Sequence, residues 1–216
     1  MIQLSPSLLS ADFSQLREEA LEVAPLTDRY HWDVMDAHFV PNLTFGPPVV
    51  NALRPHLDKP FDIHLMIDHP AEYAPQFDVR PGDVIVFHTE SSDAPDDVIR
   101  VIRDHGAGVG ITLRPGTSLE TITPYLDQVC QILVMSVEPG FGGQKFMPAA
   151  LDRLRKLRTL IGERPITLAV DGGIHAGTIR PAVEAGAELL IAGSAVFGAG
   201  DRVEAMRGLK QAATQA

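Results

Sequence analysis

The chain has 216 residues, 45% of them hydrophobic, so one domain with a substantial core is expected over residues 1–216. Its 28 acidic and 18 basic side chains give a formal net charge of −10, which leaves no basic stripe for nucleic acid or an anionic membrane. The N-terminal MIQLSPSLLSADF lacks a signal peptide's basic region and apolar run, no segment reaches the roughly 18 apolar residues of a bilayer span, and a single cysteine points to a reducing cytoplasm.

Short β-branched runs alternate with longer amphipathic ones. Strands are predicted over Gln3–Leu9, Arg29–Asp33, Phe61–Met66, Val84–His88, Gly108–Thr112, Gln131–Ser136, Thr167–Val170 and Leu189–Ala192. Helical patterns lie between them, such as Ser14–Ala24, Asp96–His105, Ala149–Ile161 and Thr178–Ala185, the last stopped at Gly186. Cys130, at the start of VCQILVMS, reads as a buried small hydrophobe rather than a nucleophile. VIVF and LLIA are nearly continuous apolar runs, as in parallel strands covered by helices on both faces. Eight βα units in so short a chain predict an α/β fold, a closed (β/α)8 TIM barrel. The alternative is an open doubly wound sheet, and PSLLSAD after the first strand is not the glycine-rich turn of a dinucleotide-binding unit. In a barrel, functional groups gather at the C-terminal ends of the strands.

Several polar residues occupy such ends. The second strand carries His31-Trp32-Asp33, whose first and third side chains share a face. The third carries His64-Leu65-Met66, and the seventh leads into Asp171-Gly172-Gly173. Taken singly, a strand histidine is more often a hydrogen-bonded core residue than a ligand, and Asp before Gly-Gly more often shapes a turn. Four such groups at corresponding ends fit one divalent cation, and the mixed nitrogen and oxygen set suits zinc, iron, manganese or cobalt. His88 reads as a supporting or structural residue, and Asp36 as a loop residue beside the cluster. His38, His56, His69, His105 and His175 read as solvated or locally hydrogen-bonded.

Glycine clusters follow the last three strands: Pro139-Gly140-Phe141-Gly142-Gly143-Gln144-Lys145, Gly172-Gly173 and Gly193-Ser194. Backbone amides in late barrel loops hold phosphate without basic side chains, which reconciles an acidic protein with an anionic substrate. The longest cluster could also hinge a lid. Met35, Met66 and Met135 fall near strand ends, where they pack the core or form a polarizable wall around a substrate.

The stretches SPSLLSADF, HWDVMDAHFVPNLTFGPPVV, HLMI, VEPGFGGQKFM, DGGI and AGSAVF together resemble the ribulose-phosphate 3-epimerase family across nearly the whole chain. The resemblance implies a barrel of the ribulose-phosphate-binding type, with His31, Asp33, His64 and Asp171 as metal ligands. It further implies that Asp33 and Asp171 work on opposite faces of the substrate, one removing a proton and the other returning one. By the same resemblance Ser7 and His64 contact the sugar, and Gly140, Phe141, Gly142, Gly143, Gly172, Gly173, Gly193 and Ser194 lie where the family holds sugar and phosphate. One departure is Ala37, where the family usually has glycine after Val-Met-Asp. A positive φ there would strain alanine by about 1 kcal/mol.

The implied reaction converts D-ribulose 5-phosphate to D-xylulose 5-phosphate. Its difficulty is a weakly acidic proton beside a ketone, which a Lewis-acid metal on the carbonyl oxygen would help to remove by stabilising an enediolate. Alternatives are a hexulose 6-phosphate 3-epimerase acting on a substrate such as allulose 6-phosphate, a metal-dependent aldolase, and a non-catalytic phosphosugar- or metal-binding barrel. A homo-oligomer is also expected.

Overall fold

Apolar segments that alternate with one-faced helices have few ways to bury themselves, and a ring of strands inside a ring of helices is one of them. The computed structural model, which describes residues 2–214, has this arrangement. In chain order the elements are β1 (Gln3–Pro6), α1 (Leu16–Val23), β2 (Tyr30–Met35), α2 (Pro47–Leu53), β3 (Phe61–Met66), α3 (Pro70–Tyr73), β4 (Val84–His88), α4 (Pro95–Asp104), β5 (Gly108–Leu113) and β6 (Gln131–Met135). There follow α5 (Ala149–Ile161), β7 (Thr167–Asp171), α6 (Ile179–Glu184), β8 (Leu189–Ala192), α7 (Ser194–Phe197) and α8 (Arg202–Thr214). The strands are parallel in the order β1-β8-β7-β6-β5-β4-β3-β2, and a parallel bridge between Ser7 and His31 joins the two ends into a ring. No described helix is long and apolar enough to cross a membrane.

Burial follows the two periodicities. Every residue of β2, β3, β4, β6 and β8 is buried, as strands covered on both faces must be. On α5 the buried residues are Ala150, Leu154, Leu157 and Ile161, a stripe at helical spacing that lies against the sheet. The larger core lies between strands and helices, whereas Val84, Val86, Leu133, Ala169, Leu189 and Ile191 belong to a separate cluster inside the ring. Successive residues of each strand point alternately to these two cores, so the strand residues that share a face with the inner cluster form the barrel interior.

Beyond shifts of one or two residues at other strand ends, such as β2 running on to Met35, some details depart from the sequence expectation. The first strand ends at Pro6, not Leu9, and a 3-10 turn occupies Leu8–Ser10. Ser7 still donates to the Ala192 carbonyl at 3.0 Å, but β8 ends there and offers no further partner. The first helix opens with a 3-10 turn at Phe13–Gln15, capped by Asp12, before α1 proper. Cys130 is exposed, contrary to the buried position expected from its apolar neighbours. It precedes β6 by one residue at the N-terminal end of the barrel, where the chain is still at the surface, and its sulfur lies 3.4 Å from the Val109 carbonyl.

Candidate active site

The alternation of β2 and β3 aims His31, Asp33 and Met35, and Asp62, His64 and Met66, into the barrel. Parallel pairing sets these side chains against one another rung by rung: His31 opposite Asp62, Asp33 opposite His64, and Met35 opposite Met66. Across the ring, β7 ends at Asp171, which pairs with Met135 of β6. One ligand atom from each of His31, Asp33, His64 and Asp171 lies within 4.8 Å of every other, so these four could hold a metal ion. The first three are buried, and Asp171 is half-buried at the mouth.

His31, Asp33 and His64 each have their own supports. His31 Nδ1 meets Asp62 Oδ2 at 2.8 Å, and Gln131 Nε2 donates to the other oxygen of Asp62 at 2.7 Å. His31 Nε2 is 3.2 Å from Asp33 Oδ1, and Ser7 Oγ donates to Asp33 Oδ2 at 2.6 Å. His64 Nε2 meets His88 Nε2 at 2.9 Å. His64 Nδ1, 3.4 Å from Asp33 Oδ1, is buried with no hydrogen-bond partner. A buried, unpartnered imidazole nitrogen facing the Asp33 carboxylate is a poor end state for a core histidine and a good one for a cation ligand. The donor set thus fits a divalent metal.

Electrostatics pull the two carboxylates apart. Burial works to raise the pKa of Asp33, but His31 and His64 outweigh it and hold the group well below the usual carboxylate range. Burial, reinforced by the charge of Asp33, pushes Asp171 up to about 7. Burial also opposes charge on His31, yet Asp33 and Asp62 lift its pKa well above the ordinary value. Burial lowers His64 and takes His88 down to about 4, leaving His88 neutral at physiological pH.

Above the cluster is a cavity of about 520 Å³, counting the open solvent at its mouth. Asp33 and Asp171 lie at it, Met35, Met66 and Met135 line it, and so do Ser7, Gly140, Phe141, Gly142, Gly143, Gly172, Gly173, Gly193 and Ser194. His31 and His64 are not among its lining residues. No Lys or Arg lines the cavity among the described residues, so an anion there meets backbone, hydroxyl and amide groups.

The loop after β7 depends on two glycines in the left-handed region, Gly172 at φ +111° and Gly173 at φ +60°. A Cβ on Gly172 would lie 2.5 Å from Val137 Cγ2, and one on Gly173 2.5 Å from the Phe146 nitrogen. Only glycine lets the loops after β6 and β7 pack this closely beside Asp171. The Ser136 hydroxyl lies 2.6 Å from the carbonyl oxygens of both Asp171 and Gly172, tying β6 to the same turn. Gln144 folds the β6 loop by donating to the Glu138 and Phe141 carbonyls, and Asn42 Nδ2 donates to Gly140 from the loop after β2. Phe141 is 54% exposed at the rim. In the β2 loop Ala37 has φ +61°, the left-handed value its position suggested.

The remaining histidines are peripheral. His38 bonds to the Asp36 carbonyl, His69 to Asp93, His105 to the Phe77 carbonyl and His175 to the Gly177 amide, while His56 is exposed. Asp36 accepts the amides of His38, Phe39 and Asp68, which ties the loop after β2 to that after β3. Sequence reasoning missed Asp62, although it stands two residues before His64 on one strand face. It also missed Leu9, Ser10, Val137, Ile174 and Ile191 in the cavity wall, where apolar and small residues carry no local signal.

The profile of the Ribulose-phosphate 3 epimerase family matches residues 3–197. A ribulose-phosphate 3-epimerase of Mycobacterium bovis is 47% identical over 212 residues, covering 97% of this chain and 92% of that protein. The Bacillus subtilis ribulose-phosphate 3-epimerase is 41% identical over 210 residues, covering 95% and 97%. Among solved structures, KGPDC from Streptococcus mutans superposes with a TM-score of 0.75 over 99% of this chain and 97% of its own, at 18% identity, a likeness of fold alone.

Proposed function

The chain belongs to the ribulose-phosphate 3-epimerase family and is an epimerase, and from that premise we propose that Asp33 and Asp171 move the proton at carbon 3 as D-ribulose 5-phosphate and D-xylulose 5-phosphate interconvert. The observation that carries this reading is the convergence of His31, Asp33, His64 and Asp171 within 4.8 Å beside a cavity walled by three methionines and the late-strand glycines.

Epimerisation needs a proton removed from one side of a carbon and returned from the other. Between β2 and β7 in the ring stand β1 and β8, so Asp33 and Asp171 reach the cavity from different sides. In one direction Asp33 takes the proton and Asp171 supplies one, and in the other direction the roles exchange. Ser7 orients Asp33 through its hydroxyl. His31, Asp33, His64 and Asp171 would hold a zinc, iron, manganese or cobalt ion. Such an ion supplies positive charge beside the ketone oxygen, which acidifies the neighbouring C–H. Met35, Met66 and Met135 keep water from the reacting carbon, and Gly172, Gly173, Gly193 and Ser194 present backbone and hydroxyl to the phosphate. The lone cysteine supports a cytoplasmic setting.

The test is exchange at carbon 3 in deuterated water. Wild type should incorporate deuterium during turnover, and Asp33→Asn and Asp171→Asn should each abolish epimerisation with the fold retained. Near-native turnover in either variant rejects the two-carboxylate assignment.

A further inference from the structure

Two buried imidazoles meet nitrogen to nitrogen. His64 Nε2 lies 2.9 Å from His88 Nε2, with ring centroids 5.0 Å apart and planes 23° from parallel. A contact of that length needs a proton on one nitrogen and a lone pair on the other. The far sides of the two rings decide which is which.

On the far side of His64, Nδ1 has no hydrogen-bond partner and faces Asp33. A ligand of a cation must present a lone pair there, which leaves the proton of His64 on Nε2. His88 then accepts at Nε2, and its own proton sits on Nδ1, which is buried with no hydrogen-bond partner and has the Glu90 carboxylate 3.6 Å away. Glu90 is held in place: its Oε1 receives the Arg114 amide at 2.7 Å and the Thr117 hydroxyl. Arg114 also donates to the Phe39 carbonyl at 2.7 Å and lies over the Phe39 ring, which packs on His88 at 4.8 Å between centroids. The loops after β2 and β5 thus hold His88 and Glu90 in place.

We propose that His88 is a positioning residue for the cation site: it fixes His64 in the tautomer whose Nδ1 lone pair faces Asp33, and the negative charge of nearby Glu90 favours the His88 tautomer with its proton on Nδ1. The proposal rests on the reading that His31, Asp33, His64 and Asp171 hold a cation. His31 is oriented differently, because its Nδ1 is turned to the Asp62 carboxylate and its Nε2 to Asp33. The two histidines therefore offer opposite ring nitrogens to the same centre, one backed by a carboxylate and the other by a neutral ring.

Two measurements test this. In zinc-loaded wild type labelled with 15N-histidine, long-range proton–nitrogen NMR spectra should show the proton of His88 on Nδ1 and that of His64 on Nε2. A proton on His88 Nε2 overturns the proposal without any variant. Cobalt(II) affinity, measured by chelator competition and read from the visible absorption of the bound ion, should fall about 10- to 100-fold in His88→Leu. It should recover to near the wild-type value in His88→Gln, whose amide oxygen can accept from His64. A merely structural His88 would lower the melting temperature of both variants without separating their cobalt affinities. Wild-type affinity in His88→Leu overturns this proposal alone, whereas wild type that takes up no cobalt overturns the cation reading beneath it.

Discussion

Asp33 on β2 stands directly opposite His64 on β3, with Oδ1 3.4 Å from Nδ1. One rung below, the order is reversed, and His31 of β2 faces Asp62 of β3 at 2.8 Å. The sequence His-x-Asp on one strand is thus met by Asp-x-His on the next, so each buried carboxylate faces an imidazole rather than another carboxylate. Like charges directly opposed on neighbouring strands repel, and a shift of two residues in this register would set Asp33 against Asp62. The register that forms the cluster also keeps its charges paired.

Removal of the cation should leave this barrel folded and nearly inactive. Dialysis against a strong chelator is expected to lower kcat by at least about 100-fold, as the loss of several kcal/mol of charge stabilisation implies. The far-ultraviolet circular dichroism spectrum should not change, and stoichiometric divalent metal should restore turnover. Full activity in metal-free protein would reject the Lewis-acid role.

Ser7→Ala removes the buried hydroxyl that donates to Asp33 at 2.6 Å. A hydrogen bond to a charged group contributes about 1.5–3 kcal/mol. If that orientation is used in the reaction, kcat/KM should fall about 10- to 100-fold. Steady-state kinetics that match wild type would show that Asp33 holds its place without the serine.

Ala37→Gly should relieve the left-handed strain in the β2 loop. The relief is about 1 kcal/mol, part of which the greater freedom of glycine in the unfolded chain offsets. The expected net effect is a gain between zero and about 1 kcal/mol in urea unfolding, with kcat unchanged because Ala37 does not line the cavity. A clear loss of stability would show that the Ala37 methyl packs favourably enough to outweigh its strain.

Glu90 makes part of the fold's stability depend on acid pH. Burial alone would raise its pKa, but His88, Thr117 and the Arg114 amide bring it down from the ordinary 4.5 to about 2. A depressed carboxyl pKa stabilises the fold above its unfolded value and loses that contribution as pH falls through the folded one. Glu90→Gln should therefore be less stable than wild type at pH 7, by about 1–2 kcal/mol after allowance for solvent screening. The gap should close as pH drops from about 4.5 towards 2. Denaturant midpoints at several pH values would show this, and a gap that stays constant with pH would contradict it.

Much of this architecture was legible without coordinates. Eight apolar segments separated by one-faced helical stretches specify a helix-covered parallel sheet, because strand and helix periodicities differ and each names the residues that must be buried. Those same periodicities put His31 with Asp33 on one face and placed Asp171 before two glycines. The family resemblance singled out Ala37, and its backbone has the positive φ that a glycine there would accept.

Periodicity encodes the face of a strand but not its height against a neighbour. Height is set by hydrogen bonds between segments some thirty residues apart, and only those bonds place His31 opposite Asp62 and Asp33 opposite His64. The same long-range geometry selects which nitrogen of each histidine faces the centre, brings Met135 beside Asp171, and leaves Cys130 exposed among apolar neighbours. The sequence by itself determined the ring and the chemical types at its mouth. The tertiary structure decided which of those groups touch, because register and tautomer are properties of contacts that no local pattern contains.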